Sequence, residues 1–135
     1  MLPIRFFLSR VLFCLFMLIG CAPVAFSQDQ VSLEQARTEH EAGRIVLIDI
    51  REPQEHAQGV VAGALLLPMS QLPQRLSEIP LDPAKPVYLV CNTQNRSQKT
   101  LKALRESGGY QHVRFVDGGM SEWNKRGWPT VKIAP

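Results

Sequence analysis

The sequence is poor in cysteine: three among 135 residues, and two of them, Cys14 and Cys21, lie near the start. It also lacks an apolar run long enough to span a bilayer comfortably; the longest reads Val11 to Ile19. No internal repeat or low-complexity tract is visible, which excludes a solenoid and a disordered linker. His40, His56 and His112 show no metal-ligand spacing. The excess of positive charge is small too. Setting aside Arg5 and Arg10 of the opening segment leaves 13 basic against 12 acidic residues, so nucleic acid is not an expected partner.

The first 27 residues read as an export signal: a short positive start, then the apolar run. Leu18-Ile19-Gly20-Cys21 resembles a bacterial lipobox, in which the cysteine is lipidated and tethers the protein to a membrane. Ala25-Phe26-Ser27 is an ordinary small-x-small cleavage site, and retention as an uncleaved anchor is a third reading. Each places residues 28–135, long enough for one domain, outside the cytoplasm, in a bacterial periplasm, either soluble or lipid-anchored. Cys91 is then the only thiol of the mature domain, and an internal disulfide is excluded.

Along the mature chain, Gln28 to Gln30 reads as a polar leader. Ser32-Leu33-Glu34-Gln35 resembles a capping box that opens a helix to about Ala42, stopped by Gly43. Ile45 to Ile50, Ala64 to Leu67, Val87 to Val90 and Val113 to Val116 are short branched-apolar runs that fit buried strands. Helices are predicted from Pro53 to about Ala57, within Gln74 to Ile79 between prolines, over Ser97 to Ser107, and from about Met120 to Lys125. Strands alternating with helices imply crossovers, hence a parallel sheet covered on both faces. Sites in such sheets lie beyond the carboxyl ends of the strands, where Cys91, Asp49 and Asp117 fall.

Cys91 opens the turn Cys91-Asn92-Thr93-Gln94-Asn95-Arg96-Ser97 between a strand and a helix. Backbone N–H groups of such a turn and the positive end of the helix stabilise negative charge on sulfur and hold an anion against it. Arg96 adds a bidentate anion donor. The four residues between Cys91 and Arg96 make a ring suited to one sulfur. A cysteine phosphatase or arsenate reductase, the nearest chemical rival, usually has five, and no well-placed general acid for phosphate release is evident, with Asp49 and Asp117 as the acidic candidates.

Asp49-Ile50-Arg51-Glu52-Pro53-Gln54-Glu55, Gly59 with Gly63-Ala64, Val87 to Ser97, and Asp117-Gly118-Gly119-Met120 with Trp123 together resemble the rhodanese family of sulfurtransferases, over about residues 31 to 130. The resemblance implies an α/β fold with an open, mainly parallel five-stranded sheet and helices on both faces. It implies a persulfide on Cys91, a backbone cradle from Asn92, Thr93, Gln94, Asn95 and Arg96, and an anion-binding role for Arg96. Asp49 and Arg51 would brace the active loop, with Ser97 in support. The implied partners are a small sulfane donor such as thiosulfate and an acceptor, cyanide or a thiol, with no cofactor and no metal. A non-catalytic docking module of the same fold is the alternative. Two departures stand out: Gln94 replaces a glycine, restricting a left-handed turn or narrowing the mouth, and Gly59-Val60-Val61 replaces Gly-His-Ile.

Overall fold

The computed structural model describes residues 29–134. The expected signal segment, with Cys14, Cys21 and both cleavage sites, lies outside the described residues. Five strands form one open sheet: β1 (Gln30–Val31), β2 (Val46–Asp49), β3 (Leu65–Leu66), β4 (Val87–Val90) and β5 (Val113–Val116). Their order is β1-β5-β4-β2-β3, and every neighbouring pair is parallel. The helices are α1 (Leu33–Glu41), α2 (Pro53–His56), α3 (Leu72–Arg75), α4 (Asn95–Ser107) and α5 (Gly119–Lys125). Among the described residues no helix is long and apolar enough to cross a membrane.

Alternation along the strands builds two cores. Ile48, Val87, Leu89, Val113 and Phe115 face one side, where Leu101 and Leu104 of α4 and Leu72 of α3 cover them. Leu47, Tyr88, Val90 and Val116 face the other, under Leu33 and Ala36 of α1 and Met120 and Trp123 of α5. Burial of each such leucine stabilises the fold by about 2 kcal/mol. The Tyr88 hydroxyl donates to Glu39 at 2.7 Å and ties α1 to β4. Burial and that carboxylate push the phenol up to about 12.

Several boundaries differ from expectation. The expected polar leader ends inside β1, whose Gln30 and Val31 pair with Phe115 and Val116; two residues are too few to show a period. Ser32 caps α1, accepting from the Gln35 N–H at 3.1 Å, but the Gln35 side chain donates to Glu39, so only half of the expected capping box forms. The helix predicted within 74–79 starts earlier, as α3, with 3₁₀ turns at Met69–Gln71 and Leu76–Glu78. Pro73 is accommodated in its first turn, where no N–H is needed.

Topology fixes where a site can form. After β2 the chain goes to β3 at one edge, and after β4 it goes to β5 in the opposite direction. The carboxyl ends of β2 and β4, with Asp49 paired to Val90, are therefore the switch point of the sheet.

Candidate active site

Cys91 follows β4 and is 1% exposed, while its neighbours Asn92 and Thr93 are exposed. Its sulfur thus lies at the floor of the loop. Sγ is 3.4 Å from the Ser97 hydroxyl, which donates to the Gln94 carbonyl at 3.1 Å. The loop is held from below by α5. The N–H groups of Met120 and Ser121 donate to the carbonyls of Cys91 and Asn92 at 2.8 and 2.7 Å. That approach requires Gly119: at φ +58°, a Cβ would stand 2.1 Å from the Thr93 oxygen and 2.4 Å from the Cys91 oxygen.

With two of its carbonyls tied to α5, the loop keeps its donors in hand. Among the described residues, the backbone N–H groups of Asn92, Thr93, Gln94, Asn95 and Arg96 find no acceptor. Helix α4 begins immediately after Gln94, which caps it without a side-chain hydrogen bond, so the positive helix end stays open beside the sulfur. Such a nest stabilises an anion or a developing negative charge.

Arg96 is engaged sideways. Its Nη1 and Nη2 donate to Glu55 Oε2 and Oε1 at 2.7 and 2.6 Å. The guanidinium holds the Glu55 carboxyl down to about 2, and Glu55 in turn raises Arg96, with Cys91 a smaller contributor. Behind this pair, Asp49 and Arg51 are buried at 0% and 4% exposure. Arg51 donates to both Asp49 oxygens, at 2.7 Å from Nη2 to Oδ2, and to the Gly59 carbonyl at 2.8 Å. His56 is buried beside them with Nε2 3.4 Å from Asp49 Oδ1, too poorly aligned for a hydrogen bond.

No cluster of three or more His, Cys, Asp or Glu side chains converges among the described residues. A concavity of about 740 Å³ lies along α4 beside β1, lined by Asp29, Lys102 and Arg105, and Cys91 is not part of it. Size alone is a poor guide here, because a nest of backbone N–H groups encloses little room.

The sequence model of the rhodanese-like domain matches residues 32–126. The chain belongs to the rhodanese-like family. It is 39% identical over 103 residues to a protein of Allochromatium vinosum named sulfurtransferase, covering 76% of this chain and 92% of that one. It is 35% identical over 115 residues to the Bacillus subtilis protein YqhL, covering 84% and 88%. A rhodanese-like domain protein of Staphylococcus aureus shares the fold, with a TM-score of 0.67 at 24% identity over 78% of this chain and 99% of that one.

Within this rhodanese-like domain the expected residues converge unevenly. Cys91, the Asn92–Arg96 backbone and Ser97 meet at the head of α4. Asp49 and Arg51 lie behind, facing each other. Asp117 is exposed. Helix α4 starts at Asn95, two residues before the expected Ser97, so Arg96 belongs to its first turn. Gln94 has φ −138°, so no left-handed turn is needed there. Glu55 was without an assigned role; the Glu52-x-x-Glu55 spacing around Pro53 is the signal that marks it, since these two form the capping box of α2.

Proposed function

We propose that this rhodanese-like domain is a sulfurtransferase that carries sulfane sulfur as a persulfide on Cys91, with thiosulfate or a similar donor and cyanide or a thiol as acceptor. The observation that carries the reading is the set of unengaged N–H groups, Asn92 to Arg96, around a buried sulfur at the open head of α4. A docking module has no use for such a cradle or for the cysteine inside it.

The Cys91 thiolate attacks the outer sulfur of thiosulfate, the S–S bond breaks, and sulfite leaves with the bonding pair. The added sulfur then bears the negative charge, where the loop's N–H groups and the helix end stabilise it. A cyanide carbon or a thiolate attacks that outer sulfur, and the thiolate of Cys91 is restored. Each step exchanges one nucleophile for another at sulfur and needs no outside oxidant.

Incubation with thiosulfate should add one sulfur atom to the intact mass, and cyanide should remove it. Cys91→Ser should drop transfer to the uncatalysed background with the fold intact. A protein that no sulfane donor loads, or a serine variant that still turns over, would overturn the reading. For residues 1–27 we propose export. The mass of the mature N-terminus decides between a lipidated Cys21 and a free Gln28.

A further inference from the structure

The arginine expected to receive an anionic donor already has a partner. Nη1 and Nη2 of Arg96 each give one N–H to an oxygen of Glu55, so the carboxylate offsets the guanidinium charge while the remaining N–H groups stay available. Glu55 is itself fixed: Oε2 also accepts the Glu52 N–H at 3.0 Å, closing the capping box of α2. The Glu52 carboxylate accepts from the Ser70 N–H and hydroxyl at 3.1 and 2.7 Å. Glu55 is thus the carboxylate in contact with the guanidinium, and the Glu52 carboxylate is engaged elsewhere, by Ser70. Arg51, which also acts on Glu55, is consumed by Asp49 and the Gly59 carbonyl. The side chain expected to add positive charge beside the cradle is therefore paired with a carboxylate, and the backbone N–H groups are what is left unpaired to attract an anion.

We infer that Glu55 is a specificity-determining residue: by neutralising Arg96 it weakens that cation's pull on the donor and favours a sulfane donor of low charge over a dianionic one. The inference rests on the sulfurtransferase reading of Cys91. A dianion such as thiosulfate must either displace Glu55, breaking two charge-assisted hydrogen bonds, or bind the remaining Arg96 N–H groups with the Glu55 carboxylate beside its charged oxygens. A monoanion with the same sulfane sulfur meets less of this repulsion.

Thiosulfate and methanethiosulfonate make the comparison, because they differ by one charged oxygen replaced with a methyl group. Attack by Cys91 on the sulfane sulfur releases sulfite from the first and methanesulfinate from the second, and leaves the same persulfide. The readout is the ratio of kcat/KM for the two donors, with cyanide as acceptor. Glu55→Gln should raise the thiosulfate-to-methanethiosulfonate ratio roughly tenfold, the worth of one charge-assisted hydrogen bond restored to the donor. In an Arg96→Gln background the same change should move the ratio by less than about twofold, because the neutralised cation is gone.

A purely structural Glu55 would lower both donors alike, and an unchanged ratio overturns the inference. Should Glu55→Gln fail to fold, Glu55→Asp keeps the charge with a shorter reach. It should shift the ratio in the same direction by less, and no shift overturns the inference equally. Wild-type protein that neither donor loads would instead overturn the sulfurtransferase reading, and this inference with it.

Discussion

The loops after β2 and β4 leave the same edge of the sheet side by side, yet they treat their polar groups in opposite ways. After β2, the charges of Asp49 and Arg51 are buried and matched almost completely, by each other, by the Arg51 N–H and by the Gly59 carbonyl. After β4, the N–H groups of Asn92 to Arg96 are matched by nothing among the described residues. Buried polar groups with full complements of partners hold a shape and have little left to offer a ligand. A loop that leaves its donors unsatisfied can persist only because another element fixes it, here α5 through Gly119, and the open donors are what a substrate can use. Glu55 bridges the two loops: its carboxylate holds Arg96, while its carbonyl lies 3.5 Å from Arg51 Nη1.

The largest effect that would sharpen this contrast is expected on the matched side. Asp49→Ala strands the Arg51 guanidinium in the core and should cost about 3–5 kcal/mol, read as a fall in the urea midpoint. Persulfide loading by the fraction that remains folded should persist, since Asp49 lies behind the cradle. Loading lost at an unchanged midpoint would break the comparison, because it would make Asp49 part of the chemistry.

On the open side the expected cost is smaller in stability and larger in activity. Gly119→Ala puts a methyl 2.1 Å from the Thr93 oxygen at a left-handed φ, so the loop or α5 must move. The penalty should be about 2–4 kcal/mol, from strain at φ and from overpacking. Because the same contact turns the carbonyls of Cys91 and Asn92 toward α5, loading rates in the folded fraction should fall as well. A variant as stable and as reactive as the parent would show that α5 does not hold the cradle open.

How far the sequence could be read depended on what each feature requires. The strands of the core are runs of branched residues with burial on both faces, so Val87 to Val90 and Val113 to Val116 stand out from local pattern alone and form β4 and β5. Cys91 was legible because its turn separates a strand from an amphipathic helix. The start of that helix was not, since Asn95 and Arg96 are polar and neither favours nor breaks a first turn. β1 escaped notice because its two residues are defined by their partner on β5 and by nothing of their own. The direction of Arg96 was invisible for a similar reason: its partner lies 41 residues away, and no local spacing reports such a pair. The bracing role of Asp49 and Arg51 came from the family resemblance, and the place of His56 beside them needed the tertiary fold.

The smallest expected effect tests where selectivity resides. Gln94 stands where a glycine was expected, yet at φ −138° and ψ −7° its backbone is open to any L residue, and its side chain makes no capping hydrogen bond. Gln94→Gly should therefore gain nothing in the native loop and cost about 0.4–1 kcal/mol through the freer unfolded chain. The ratio of thiosulfate to methanethiosulfonate turnover should stay within about twofold, below the roughly tenfold set by a charge-assisted hydrogen bond. A severalfold rise in thiosulfate turnover would return donor choice to the width of the loop at position 94. Without it, charge decides, and the paired loop after β2 controls the open loop after β4 through the one side chain, Glu55, that reaches from α2 to Arg96.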